Sequence, residues 1–426
     1  MRTQSIKRAI LHACQVTACG MLLPLLHIHV NDSHAKANEF LSVWQRHTID
    51  DSTRGADGVR PLDVNGDGRP DLVTCWEEGG QIRIYVHPGA KTVKDKWPAA
   101  TVGNVASPED AVFVDLDADG AIDVVSCCEG KNLTVYAHWA PVKKDALLES
   151  SAWQTEPFPV LAGKQAFMFC LPLQIDGERG VDLVIGAKSR SKALLAPSQV
   201  GWLESPRNPR QLRDWQWHPL YEAGWIMSLF AEDMDHDGDL DILLTDRKGA
   251  ARGCKWLANP GATDAANAKL WRSHPVGGND TEIMFAARGD LDGDGRLDIA
   301  AATHDSGLRL FRGLDDSGDR WETMTIPMPA NTGGGKGVEI GDIDLDGSMD
   351  LIVSCEHAQD KHGVFWLKPA DSTSATLWEF RPISGELGIK FDLIQLIDLD
   401  EDGDLDVLTC EERAQLGVTW YENPAH

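Results

Sequence analysis

The sequence predicts an all-β fold, a seven-bladed β-propeller of four-stranded blades, and three observations carry that expectation. An acidic pattern, Asp-x-Asp-x-Asp-Gly-x-x-Asp, recurs down the chain at intervals of 52 to 59 residues. Each copy sits among short β-type runs. The two ends of the chain are fragments of one and the same unit. A fixed period of this size marks a repeat architecture in which each repeat is one supersecondary unit.

The elements follow in order. The segment beginning at Trp44 is the first run, and it precedes any acidic loop. A run such as Ala111–Val114 or Phe391–Ile397 leads into each loop. A second run follows the loop at once, as in 72–75, 242–245 and 407–410. A third comes after a short connection, as in 82–85, 255–257, 364–367 and 418–421. The next opens with tryptophan, at Trp97, Trp153, Trp215, Trp271, Trp321 and Trp378, as at Trp44. Short β-branched and aromatic runs bounded by Gly, Pro and Asp read as strands. Four strands per repeat and seven repeats describe a seven-bladed propeller. The last repeat stops after its third run, so the N-terminal strand is expected to complete the last blade. Closing the ring this way removes exposed sheet edges.

The acidic loops present oxygen ligands at positions one, three, five and nine. The first offers Asp63, Asn65, Asp67 and Asp71, and the second Asp115, Asp117, Asp119 and Asp123. Three others offer Asp233, Asp235, Asp237 and Asp241; Asp290, Asp292, Asp294 and Asp298; and Asp342, Asp344, Asp346 and Asp350. The last offers Asp398, Asp400, Asp402 and Asp406. Hard oxygen donors at this density suit Ca²⁺, with about six sites expected. Glycine at position six permits the turn. An EF-hand does not fit, because position twelve is Thr74, Ser126 or Leu244 in three copies and a strand follows. A worn copy, Gln174 to Asp182 with Asp176 and Glu178 between, is expected to be empty or weak. The alternative is a network of Asx turns that holds the loops without metal.

These repeats resemble the FG-GAP or VCBS type, the calcium-loop blades also seen in integrin α-subunits. The resemblance covers roughly Trp44 to Asn423. It implies the propeller and its Ca²⁺ loops, but the architecture serves adhesion proteins, lectins and polysaccharide lyases alike.

The formal charge is −26. Much of that acidity lies in the loops, and six bound Ca²⁺ would bring the balance to about −14. No basic stripe is present, so nucleic acid is not an expected partner. Arg2, Lys7 and Arg8 precede an apolar stretch from Ala9 to Val30, and Ala35-Lys36-Ala37 then supplies a cleavage site, which reads as a signal peptide over 1–37 and a single propeller domain over 38–426. The expected location is secreted, periplasmic or at the cell surface, with an uncleaved anchor as the alternative. Seven cysteines follow: Cys75, Cys127, Cys128, Cys170, Cys254, Cys355 and Cys410. Buried free thiols are the first reading and an inter-blade disulfide, Cys75 with Cys410, the second. Most tryptophans read as packing between blades. Trp76 and Trp225 fall off the pattern, in expected loops.

Strand direction places the loops after the second strands on the face opposite the acidic loops, near the channel. Six residues past the final loop Asp, the seven repeats read Glu77, Glu129, Lys188, Arg247, His304, Glu356 and Glu412. Every one is ionisable, where about one residue in four is charged on average. Lys390 and His357 join them from neighbouring segments. A ligand site is expected here, with a solvated, salt-bridged channel mouth as the alternative.

Three functions compete. The first is a secreted module that binds a carbohydrate or an extracellular protein, with Trp76 and Trp225 as stacking surfaces. The second is a polysaccharide lyase or sugar dehydratase, with His304 or His357 as base, Tyr221 as acid, and Arg247 or Lys188 neutralising the enolate. Tyr85, Tyr136 and Tyr421 are placed on strands away from the channel, which leaves Tyr221. A variant adds Zn²⁺ held by His304, Glu356, His357 and Glu412. The third is a structural surface protein without a small ligand.

Overall fold

The structure, a computed structural model, describes residues 42–190, 198–305, 307–370 and 377–425. The segment expected to be a signal peptide, with Cys14 and Cys19, lies outside these. Among the described residues, no helix is long and apolar enough to cross a membrane.

Seven antiparallel four-stranded sheets form a ring of blades. Blade one runs from the axis outward through Ala56–Leu62, Asp71–Trp76, Gln81–Tyr85 and Ala99–Asn104. Blade seven is built from Phe391–Ile397, Asp406–Glu411 and Gly417–Glu422, and its outer strand is the N-terminal Gln45–Asp50. Gln45 pairs with Glu422 and Asp50 with Val418. The first and last segments thus share one sheet, and the closure expected from the end fragments is present.

Packing explains the strand composition. The second strand of each blade has sheet neighbours on both sides and other blades above and below. Asp71–Trp76, Asp123–Cys128 and Asp406–Glu411 are buried along their whole length. Outer strands are half exposed and alternate more freely, as in Trp321–Ile326.

The tryptophans divide by strand. Those opening the outer strands pin the loop before them. The indole N–H of Trp97, Trp153, Trp215 and Trp271 donates at 2.8–2.9 Å to the carbonyls of Val93, Leu147, Pro209 and Ala265. Those on third strands are buried and pack against an outer-strand histidine in three blades, Trp202 stacked on His218, Trp256 stacked on His274 and Trp420 tilted against His47, with ring centroids 4.1–4.6 Å apart. A buried indole removes on the order of 200 Å² from water, about 5 kcal/mol of transfer free energy.

All seven cysteines from Cys75 to Cys410 are free thiols and buried. The Cys75–Cys410 disulfide is therefore not formed. Cys75 packs with Ile82, Ile84 and Cys128, whereas Cys410 packs with Leu408 and Trp420 in a separate cluster.

Trp76 corrects an expectation. It is the last residue of a second strand, 1% exposed, and its indole N–H donates to the Tyr85 hydroxyl at 2.9 Å. It is core and offers no stacking surface.

Candidate functional site

The acidic loops lie on one face, between inner and second strands. Position six is left-handed glycine in every intact copy, from Gly68 at φ +84° to Gly403 at +100°. Position four is left-handed too, and in four copies the residue is not glycine: Ala118, His236, Leu345 and Glu401. That double left-handed turn aims the backbone N–H groups inward. Asp63 accepts from Gly66, Asp67 and Gly68 at 2.7–3.2 Å, and Asp290 accepts the same set in its own loop. Asx hydrogen bonds complete the turn, the backbone N–H groups of positions five and seven donating to the side-chain oxygens of positions three and five, as Asp67 donates to Asn65 and Arg69 to Asp67.

The ninth residue does something separate. Asp123 accepts from the backbone N–H of Leu116 at 3.2 Å and of Ala140 at 2.7 Å, tying the loop to the end of the third strand. Asp71, Asp241 and Asp406 repeat this, and so does Asp182 in the worn copy, from Ile175 and Ser205. Burial pushes the Asp123 carboxyl up to about 7 and that of Asp406 up to about 8. This staple explains why the worn copy keeps Asp182.

Carboxylate oxygens converge within 4.8 Å in several loops, among them Asp115, Asp117 and Asp123, and Asp233, Asp235 and Asp241. Buried oxygens of Asp115, Asp233, Asp344 and Asp400 have no hydrogen-bond partner among the described residues. Side-chain cations touch some loops: Arg210 reaches Asp117 and Asp119, Lys368 reaches Asp344 and Asp346, and Lys94 reaches Asp400. The worn copy differs. The Gln174 amide nitrogen donates to the carbonyls of Glu178 and Gly180, so a neutral N–H₂ stands among the acceptors.

The opposite face holds a cavity of about 350 Å³. Six of the seven ring positions line it: Glu77, Glu129, Lys188, Arg247, Glu356 and Glu412. His357, Lys390 and Trp225 join them, as expected from the sequence. His304 stands just behind, its Nε2 3.4 Å from Glu356. Trp225 sits under three cations, with Lys188, Arg247 and Lys248 4.6–5.0 Å from its ring centroid. Its indole N–H is buried without a hydrogen-bond partner among the described residues.

The sequence did not reveal the apolar floor of Met168, Phe169, Met227 and Phe285. All seven inner strands carry a bulge near their channel end, and the extra residues include Glu109, Met168, Met227 and Lys336. A bulge re-aims a side chain out of the alternating pattern, and here it turns these residues to the axis. A second neighbour-dependent feature is the pairing of buried charges. Lys188 contacts Glu109 at 3.4 Å and also holds Glu129. Lys336 contacts Asp392 at 3.2 Å, beside Asp57. Burial pushes Glu109 up to about 8, while Glu129 is held below its ordinary range because Glu109 and Lys188 outweigh burial. Burial and the Asp392 charge push Asp57 well up, while Lys336 and Lys390 overcome burial to hold Asp392 low. Each group is two carboxyls and one lysine, neutral when one carboxyl keeps its proton.

Tyr221 is a second correction. It lies on the outermost strand of blade three, Gln216–Ala223, and its hydroxyl donates to the Ala251 carbonyl at 3.0 Å. Like His304, it is not among the residues lining the cavity. The other three tyrosines lie on third strands, nearer the axis than Tyr221. Glu412 is likewise apart from the histidines, held by Lys390 and Arg413.

A larger groove of about 710 Å³ runs between blades five and six on the acidic-loop face, past Asp292, Met324, Ile340, Met349 and Trp378. The channel cavity is the better candidate despite its size, because it gathers equivalent charged positions from six of the seven blades.

Residues 63–126 and 290–353 match the FG-GAP-like repeat. The chain is a seven-bladed β-propeller carrying FG-GAP-like repeats. Two solved structures, of BBS1N in complex with ARL6DN soaked with mercury or with lead, are similar in fold at TM-scores of 0.52 and 0.51. Identity is 10% and 11%, over 90% of this chain and 98% of theirs. No curated protein matches the sequence.

Proposed function

We propose that this chain is an exported, calcium-loaded propeller that binds a small hydroxyl-rich ligand, a sugar or sugar acid, at the channel mouth. The observation that carries the reading is the convergence of six equivalent ring positions, with Trp225, into one cavity of about 350 Å³. Buried and half-buried carboxyls, lysines and Arg247 offer acceptors and donors that match a polyol, and the Trp225 face and apolar floor match its C–H faces. The cations around Trp225 favour a carboxylate on that side. Recognition of an extracellular protein through the same mouth is the other form of this reading.

For the opposite face we infer Ca²⁺ in about six loops. The support is the converging hard-oxygen donors and the buried carboxylate oxygens left without a hydrogen-bond partner among the described residues. Export rests on the amino-terminal apolar stretch alone. Lyase or dehydratase chemistry with Tyr221 as acid loses support, because that hydroxyl is spent at the rim of the ring.

The test is a glycan and uronate screen of the purified chain with Ca²⁺ present. Affinity electrophoresis reads binding and ultraviolet absorbance reads new unsaturated uronates. Binding that is lost in Arg247→Ala and Trp225→Ala supports the reading. Binding unaffected by both removes the channel mouth, and absorbance growing with time makes the chain a lyase.

A further inference from the structure

One corner of the cavity follows a different chemistry from the rest. Glu129 and Glu412 are each held by a lysine. Glu356 instead faces two imidazoles, His304 Nε2 at 3.4 Å and His357 Nδ1 at 3.9 Å. One ligand atom from each of the three residues lies within 4.8 Å of the others. The rings stand edge to face with centroids 6.0 Å apart, so both nitrogens point into a shared gap rather than stacking.

The distances have a direct meaning. In a tetrahedral zinc site with bonds of about 2.0–2.1 Å, ligand atoms sit about 3.3 Å from one another. The observed 3.4 Å already matches this, the 3.9 Å needs about half an ångström of closure, and the two imidazole nitrogens start within 4.8 Å of each other. His304 is also prepared for the role. Its Nδ1 lies 2.5 Å from the Asp305 carboxylate. That contact puts the ring proton on Nδ1 and leaves the Nε2 lone pair toward Glu356, the carboxylate–histidine arrangement that orients metal ligands. His357 is held in a left-handed backbone conformation at φ +55°, a position β-carbon residues seldom occupy, and its neighbour Ala358 is tied to Ile389.

We propose that His304, Glu356 and His357 bind one divalent transition metal of the zinc class, with Asp305 as the positioning residue for His304. Two imidazoles and a carboxylate suit Zn²⁺ better than Ca²⁺, which prefers six or more oxygens. Glu356 and His357 both line the cavity, so the fourth coordination position opens into it. Three protein ligands and an open position are the arrangement of a site that accepts an outside ligand. A carboxylate or hydroxyl donor is the class that position would take. Glu412, grouped with these residues by sequence, is not a ligand.

The test uses the full chain with excess Ca²⁺ to saturate the acidic loops and no organic ligand, so its outcome is independent of the sugar-binding reading. Zn²⁺ binding is read by calorimetry, and Co²⁺ by its visible absorption in a low-coordinate site. The expected result is one tight equivalent that disappears in His304→Ala and Glu356→Gln. It weakens about 10–100-fold in Asp305→Ala. His357→Ala is the control against misfolding, since that side chain is 74% exposed. It should abolish or sharply weaken the same equivalent while the folded Tm with Ca²⁺ is unchanged. Absence of a tight equivalent in the unaltered chain overturns the proposal. So does an equivalent that survives both His304→Ala and His357→Ala.

Discussion

The two faces of the ring treat crowded carboxylates in opposite ways. At the channel mouth the chain supplies its own counter-charge: Lys188 between Glu109 and Glu129, Lys336 beside Asp57 and Asp392, Lys390 on Glu412. On the loop face most of the work falls to backbone N–H groups, and several buried oxygens find no partner among the described residues. The worn loop, with Gln174 in place of the first aspartate, is the internal control. There an amide N–H₂ fills the role among the carbonyls. The channel face pairs its carboxyls with its own lysines, and the loop face leaves acceptors open among the described residues. The ninth-position aspartate belongs to neither scheme: in six blades it accepts from two backbone N–H groups whether or not an ion is expected, and only Asp350 accepts from one, that of Ile343.

Removing Ca²⁺ probes the difference at its largest. With chelator the Tm should drop steeply, since each loop saturated a hundredfold above its Kd contributes about 2.7 kcal/mol. A Tm indifferent to chelator would mean that the Asx turns and the lysines on the loops suffice, and the contrast between faces would collapse. Next in size, Asp182→Ala should cost about 3 kcal/mol, because two buried backbone donors lose a charged acceptor. Denaturant unfolding should give that loss equally with and without Ca²⁺. A loss that depends on Ca²⁺ would place an ion in the worn loop.

A smaller effect belongs to the channel face. Glu109 is pushed up to about 8 from an ordinary value of about 4.3. The folded state therefore holds this proton more tightly than the unfolded chain. The resulting stability is complete below about pH 4.3 and is lost as pH rises through about 8. Thermal unfolding from about pH 5 to about pH 9 should show a decline that flattens in Glu109→Gln. An unchanged slope would assign the decline to another group. The smallest effect is a gain: Gln174→Asp should remove the internal amide and add one Ca²⁺ to the count by atomic emission. No added ion would show that Glu178 or Arg179 also closes that loop.

Much of this was legible in the residues. The acidic period and the outer-strand tryptophans located the blades, because both lie within one repeat and depend on neighbours a few positions away. The ring positions from Glu77 to Glu412 were found for the same reason, since equivalent places in each repeat end at the same height on the same face. Trp76 was misread because its sequence neighbours Glu77 and Glu78 suggest a loop, while its burial comes from Tyr85 across the sheet. Tyr221 was misread because it was reached by elimination: the other three tyrosines were set away from the channel, whereas Tyr221 itself lies on the outermost strand and its hydroxyl meets Ala251 and Lys255 of the next blade.

The sequence by itself determined the number of blades, the face that carries the acidic loops and the closure of the last blade by the first strand, because repetition and strand patterning are local properties. Only the tertiary structure decided which charges neutralise one another. Asp57, Lys336 and Asp392 come from three different blades, and Glu356 meets His304 across another blade boundary. The inner-strand bulges that turn such side chains to the axis follow from sterics at the narrow centre of a closed ring, a constraint no single repeat contains.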